Sequence, residues 1–282
     1  MQRRYSEWEI ETNGITSVVS EWGAGERNIV LLHGITSSRM IWSDLAPQLA
    51  AQGYHVFASD LRGTGGSRVY TSEQVGNDID TFVADVEVWT RELGLERFIL
   101  GGHSFGGRTA VAFTHRYPER VEKLVLIAAA GPDAFATVRD EHPELVEGGA
   151  RSYQYGDIGG PLLDALGQLR AMNPGRPATK AVVQRWLANL LVDEQGNAQH
   201  IDLRAVLDGQ WRIMDYDDQR PLLADISTPT VVTNSVDESK LLRFIIPNYA
   251  AGLPNATLMN DLPGGHDTPI ACPEGCIEAL IG

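Results

Sequence analysis

Gly102-His-Ser104-Phe-Gly106, followed by Gly107, is where residue types and spacing point most directly to chemistry. A serine inside G-x-S-x-G becomes a nucleophile candidate when a strand precedes it and a helix follows, because the sharp turn between them lifts its hydroxyl clear. Residues 97–101 read as such a strand, and residues 105–117 as a helix that stops before Pro118. The glycines at 102 and 106 allow backbones to pass closely at the turn. The helix start brings unpaired N–H groups next to the serine oxygen.

A serine hydroxyl is a weak nucleophile and needs a base and a group that orients the base. Seven histidines are available. His33 follows a strand, and His103 lies inside the serine turn. His266 stands apart: it follows a predicted strand (residues 256–262) and Gly264-Gly265, which puts it on the same rim as Ser104. The orienting acid should end another strand. Residues 230–233 supply one, and Asp237 and Glu238 follow it. A developing oxyanion needs two N–H donors. One is expected from Phe105, next to the nucleophile, and the other from Ile35, in the loop His33-Gly34-Ile35-Thr36 after the strand of residues 28–32.

The elements that must position these groups follow from periodicity. Residues 8–12 and 15–22 are β-prone runs around Asn13-Gly14, a hairpin signal. Short apolar runs at 28–32, 54–59, 97–101 and 121–129 alternate with helical stripes such as Phe82, Val86 and Trp89. This alternation predicts an α/β fold around a mostly parallel β-sheet covered on both faces. Gly131-Pro132 ends the pattern. Stripes such as Leu162, Leu166, Leu169 and Leu203, Leu207, Trp211, Met214 then read as helix without a convincing strand, broken at Gly159-Gly160, Pro174 and Pro177. The alternation resumes after Pro221, with strands at 230–233 and 256–262 and helices at 240–251 and 273–281. The expected organisation is a core of residues 1–132 and 223–282, with a helical cap at 133–222.

Composition removes several functional classes. Lys and Arg total 23 against 37 Asp and Glu, a formal charge of −14 over 282 residues. Tracking nucleic-acid phosphates or docking on an anionic membrane needs clustered positive charge, so neither partner is expected. Cys272 and Cys276 cannot build a disulfide framework and lack a second pair for zinc. The glycine-rich stretch from Asp60 to Ser67 lacks the lysine of a phosphate loop. The first ten residues hold no apolar run, so no signal peptide is expected. A cytoplasmic protein acting on a small molecule without metal or organic cofactor is the expectation, and a homo-oligomer is compatible with it.

Four segments carry a family resemblance. Leu31-Leu-His-Gly34, Asp60-Leu-Arg-Gly63-Thr-Gly65-Gly-Ser67, Gly102-His-Ser-Phe-Gly-Gly107 and Gly264-Gly-His266 resemble the oxyanion loop, the Asp-Arg-Gly loop, the nucleophile elbow and the histidine loop of the α/β-hydrolase superfamily, in its capped esterase, lactonase and haloperoxidase-like branch. The resemblance covers residues 9–132 and about 223–282, and the order serine, acid, histidine fits it. It implies attack by Ser104 on an ester, lactone or similar carbonyl of a largely apolar substrate, an acyl-enzyme and its hydrolysis, with His266 as base. Two positions depart from the family pattern: Thr64 stands where histidine is frequent, and Ser235 where the acid loop usually carries glycine. The usual acid, three positions on, would be Glu238. The commoner residue type, its shorter and more tightly pinned side chain, and a loop shortened by one residue select Asp237. We expect Asp237, with Glu238 as the alternative. Carbon–carbon bond hydrolysis or perhydrolysis on the same triad is the rival reaction, and a non-catalytic ligand-binding member of the fold is the rival class.

Overall fold

The computed structural model describes residues 5–145, 158–172 and 179–282. Its strands are β1 (Ser6–Thr12), β2 (Ile15–Trp22), β3 (Arg27–Leu32), β4 (Tyr54–Ser59), β5 (Phe98–His103), β6 (Val121–Ile127), β7 (Gly159–Pro161), β8 (Leu190–Val192), β9 (Asn197–His200), β10 (Thr230–Ser235) and β11 (Ala256–Leu262). The helices are α1 (Ala46–Ala51), α2 (Ile79–Glu92), α3 (Phe105–Arg116), α4 (Phe135–Glu141), α5 (Leu162–Met172), α6 (Lys180–Ala188), α7 (Arg204–Tyr216), α8 (Arg220–Leu223), α9 (Lys240–Ile245), α10 (Pro247–Gly252), α11 (Thr268–Ala271) and α12 (Pro273–Ile281).

Eight strands form the main sheet in the order β1-β2-β4-β3-β5-β6-β10-β11. The β1–β2 pair is an antiparallel hairpin, turned at Asn13 and Gly14 with φ of 39° and 81°, the double positive φ that a two-residue hairpin turn needs. β2 also runs antiparallel to β4, and the pairs from β4 across to β11 are parallel. The α/β sheet read from the sequence therefore stands. Alternate residues of its central strands feed opposite faces. Val30 and Leu32 join Val83, Phe113 and Tyr249 on one side. Ile29 and Leu31 join Trp42, Leu49 and Leu280 on the other. That two-sided burial is why these strands read as unbroken apolar runs. The chain winds outward in opposite directions from β3 and β5, which puts the sheet's topological switch point at their carboxyl ends.

Between β6 and β10 the chain makes an insertion, and here the expectation of a helix-only segment is corrected. β7, β9 and β8 form a small antiparallel sheet separate from the main one. A tight turn makes the β8–β9 pairing: the Asp193 carboxylate accepts from Gln195 N–H at 3.0 Å and Asn197 N–H at 2.8 Å, and Gly196 has φ 82°. With three or four residues per strand, a period-two pattern is too brief to read from the sequence. The breaks expected at Pro174 and Pro177 lie outside the described residues. The insertion's two ends are held together by Arg108 of α3, which is fully buried. Its guanidinium donates to the carbonyls of Gly131 at 2.5 Å and Asp133 at 3.2 Å on the way out, and to the carbonyl of Asp217 on the way back. Among the described residues no helix is long and apolar enough to cross a membrane. Cys272 and Cys276 are free thiols, and burial pushes the Cys276 thiol up, away from its reactive thiolate.

Candidate active site

β5 and α3 meet at Ser104, whose backbone takes φ 52°, ψ −120°. Such a non-glycine conformation costs about 1–3 kcal/mol and persists only where its surroundings hold it. They do so here through Ser104 N–H to the Ile127 carbonyl at 3.2 Å, and through the Ser104 carbonyl, which accepts from Gly107 at 2.9 Å and Ala130 at 3.1 Å. The elbow also needs close backbone contact. A side chain at Gly106 would strike the Leu32 carbonyl at 2.4 Å, and one at Gly102 would strike the Gly106 carbonyl at 2.4 Å.

His266, in a short turn after β11, brings Nε2 to 2.9 Å from Ser104 Oγ. Its Nδ1 lies 3.0 Å from Oε2 of Glu238. The Glu238 side chain is almost wholly buried (3% exposed), and its other oxygen accepts from Ser239 N–H at 2.9 Å. The carboxylate therefore accepts a hydrogen bond from Nδ1–H, which leaves the Nε2 lone pair facing the serine. Asp237, the acid expected from the sequence, is corrected by this geometry. It is exposed, and its carboxylate accepts from Gly264 N–H at 3.3 Å instead of reaching the imidazole. Ser235 gives the physical reason. Its hydroxyl donates to the Leu262 carbonyl at 2.7 Å and accepts from Gly265 N–H at 2.8 Å, tying the end of β10 to the histidine loop. The buried carboxylate thus stands three positions past Ser235, at Glu238.

The N–H groups of Ile35 and Phe105 come from the loop after β3 and from the first residue of α3. Among the described residues neither has a protein acceptor. Gly34 lies against the serine: a Cβ there would sit 2.8 Å from Ser104 Cβ. His33 shapes this loop from beneath. Its Nδ1 donates to the Gly34 carbonyl at 2.7 Å, and its Nε2 accepts from Leu61 N–H at 2.9 Å. Burial holds its pKa below the usual histidine value, as that acceptor role requires. Thr64 keeps contact with His33 Nε2 at 3.1 Å although it replaces the frequent histidine. The Asp60 carboxylate binds Arg39 N–H at 2.7 Å, Gly66 N–H at 2.8 Å and the Arg39 guanidinium, so this glycine-rich loop is tied to the protein itself.

The insertion reaches the same rim. Asn189 accepts from Gly65 N–H at 2.9 Å, and Val206 of α7 abuts Gly63. Arg185 of α6, buried, donates to Asp267 at 3.4 Å, one residue beyond His266. Ile35 and Trp211 pack against the apolar cluster of Ile201, Leu203 and Leu207. Arg185 and Asn189 carry no sequence signal, since each reads as an ordinary polar residue of a helix or its end. Among the described residues no group of three or more His, Cys, Asp or Glu is placed to hold a metal ion.

A family model described as alpha/beta hydrolase fold matches residues 27–270. A 2-hydroxy-6-oxononadienedioate/2-hydroxy-6-oxononatrienedioate hydrolase of Paraburkholderia phymatum is 36% identical over 134 residues, 46% of each chain, so this match spans less than half of that relative. A hydrolase of the same name from Cupriavidus pinatubonensis is 27% identical over 250 residues, 85% of this chain and 80% of the relative. Among solved structures, the thioesterase domain from the curacin biosynthetic pathway superposes with a TM-score of 0.76 at 21% identity, over 99% of this chain and 100% of that one.

Proposed function

The chain belongs to the alpha/beta hydrolase fold family and is an enzyme of it, and from that premise we propose that it is a serine hydrolase that cleaves an ester, lactone or similar carbonyl of a small, largely apolar substrate. The observation that carries this reading is the unbroken run from Ser104 Oγ to His266 Nε2 at 2.9 Å and from His266 Nδ1 to Glu238 at 3.0 Å. Ser104 attacks the carbonyl carbon while His266 takes its proton. The N–H groups of Ile35 and Phe105 receive the oxyanion. His266 then gives the proton to the leaving group, and water, activated by the same imidazole, hydrolyses the acyl-enzyme. Glu238 holds the tautomer and stabilises the imidazolium. The packing of Ile35 and Trp211 on apolar side chains supports a mostly apolar substrate. A fluorophosphonate probe tests the nucleophile directly. One equivalent should attach to the peptide that contains Ser104, with aryl-ester turnover lost in proportion. Labelling elsewhere, or turnover that survives full labelling of Ser104, overturns the reading.

A second reading, carbon–carbon bond hydrolysis of a vinylogous diketone, is favoured by the two relatives named as oxononadienedioate hydrolases. Arg185, a buried cation placed by the insertion beside the histidine loop, is compatible with the dicarboxylate in that name. Rates on p-nitrophenyl butyrate, a γ-lactone and a 2-hydroxy-6-oxo-dienoate separate the readings. We expect kcat/KM on the ester or lactone to exceed that on the dienoate by about tenfold or more, roughly 1.4 kcal/mol of barrier. The reverse order assigns the chain to the second reading.

A further inference from the structure

We propose that His103, to which the hydrolytic mechanism gives no chemical step, is a positioning residue that fixes where the His266 ring stands between Ser104 and Glu238. This rests on the hydrolytic reading of the same site. The His103 ring is buried, at 4% exposure, immediately before the nucleophile. Its Nε2 lies 2.7 Å from the backbone carbonyl of His266. A carbonyl only accepts, so Nε2 carries the hydrogen. The turn that bears His266 is also anchored through its neighbours, among them Gly265 N–H to Ser235 Oγ at 2.8 Å, Arg185 to the Asp267 carboxylate at 3.4 Å and Thr268 Oγ1 to the Gly265 carbonyl at 2.6 Å, none of them to His266 itself. His103 therefore anchors the backbone of the base, while Glu238 anchors its ring.

The other edge of the ring faces the oxyanion loop. A side chain at Gly34 would come within 3.0 Å of His103 Nδ1, and among the described residues that nitrogen has no hydrogen-bond partner. Trp42 stands edge-on to the ring at 6.5 Å. One ring thus spaces three parts of the site: the nucleophile through the chain, the base through its carbonyl, and the oxyanion loop through contact. Charge explains the residue type. The His103 and His266 rings are 4.9 Å apart. A cation at 103 would oppose the imidazolium that forms during catalysis, whereas a neutral imidazole donates the same hydrogen bond without charge. Burial first, and then the nearby His266, hold the His103 pKa well below the usual histidine value, so the ring stays neutral.

The test compares His103→Leu, which removes the donor, with His103→Gln, which keeps a neutral N–H donor of similar reach. Active sites are counted by fluorophosphonate titration so that unfolded protein does not enter kcat. A displacement of the base by about 1 Å costs on the order of a hundredfold, so His103→Leu should lower kcat by about 30- to 100-fold with KM within about threefold. His103→Gln should recover kcat to within about fivefold of wild type. A purely structural role would lower yield and melting temperature but leave kcat per titrated site unchanged, and that result overturns the proposal. If His103→Leu fails to fold, His103→Asn, one methylene shorter than Gln, replaces it: equal kcat in the Asn and Gln variants overturns the proposal, and a selective loss in Asn supports it. Should the wild type not label at Ser104, the hydrolytic reading fails instead. The positioning role is then decided by the ¹⁵N resonances of the His266 ring, which must shift more in the donor-lacking variant than in His103→Gln.

Discussion

Ser104→Ala should lower aryl-ester turnover by about 10⁴- to 10⁶-fold while leaving the fold intact. The loss is large because the serine oxygen, the imidazole and the carboxylate act as one unit. Without Oγ, the 2.9 Å contact with His266 has no nucleophile to activate. Some catalysis over water should remain, since the Ile35 and Phe105 donors are untouched. Stability should change little. The polar partner of the hydroxyl is His266, itself about one-third exposed, and the backbone bonds that hold φ at 52° do not involve the side chain. Alanine and serine pay the same conformational cost there. Turnover within tenfold of wild type in a normally melting variant overturns the nucleophile assignment.

Glu238→Gln should cost about 10³- to 10⁴-fold in kcat, and Asp237→Asn no more than a few-fold. A glutamine that turns its NH₂ toward His266 Nδ1 favours the tautomer with its hydrogen on Nε2, which cannot accept the serine proton. It also cannot stabilise the imidazolium by charge. Glu238 is nearly sealed from solvent (3% exposed), so no water replaces the lost charge. Asp237 lies in solvent on the far side of the same turn, and its contact is a 3.3 Å bond from Gly264 N–H. Assaying both variants with thermal unfolding decides the matter. Collapse in Asp237→Asn with near-normal Glu238→Gln would restore the acid first expected from sequence.

The confusion of these two neighbours shows where sequence reasoning is sharp and where it blurs. The sheet was legible because strands buried on both faces, such as Ile29 to Leu32, leave an unbroken apolar run. The elbow was legible because Gly102 and Gly106 answer a steric demand that other residues cannot meet. Choosing between Asp237 and Glu238 needs the direction of a side chain in an irregular turn. That turn is tied by contacts from residues far away in sequence, such as the bond of the Ser235 hydroxyl to the Leu262 carbonyl of β11 and that of Glu238 to His266. The insertion's small sheet was illegible for a different reason. Three-residue strands such as Leu190–Val192 are too short to alternate, and Leu191 and Val192 are exposed. The single helix expected at 240–251 is two, because Pro247 opens a second helix in α10. His103 gave no periodic signal, since its bond to the His266 carbonyl is visible only once β5 and the histidine loop are brought together.

Arg108 bears on how such a protein can change over time. Because one buried side chain on the nucleophile helix clasps both ends of the insertion, the exit and return points stay fixed whatever lies between them. Gln219 reinforces the clasp, donating its backbone N–H to the Pro132 carbonyl at 2.8 Å and its amide to the Arg108 carbonyl at 3.0 Å. To the core, the intervening residues are then a loop whose closure is already enforced, and doubling the length of such a loop adds only about 0.6 kcal/mol of entropy. Segments of quite different length and shape can therefore be exchanged between the clasped ends without redesigning the nucleophile, base or acid.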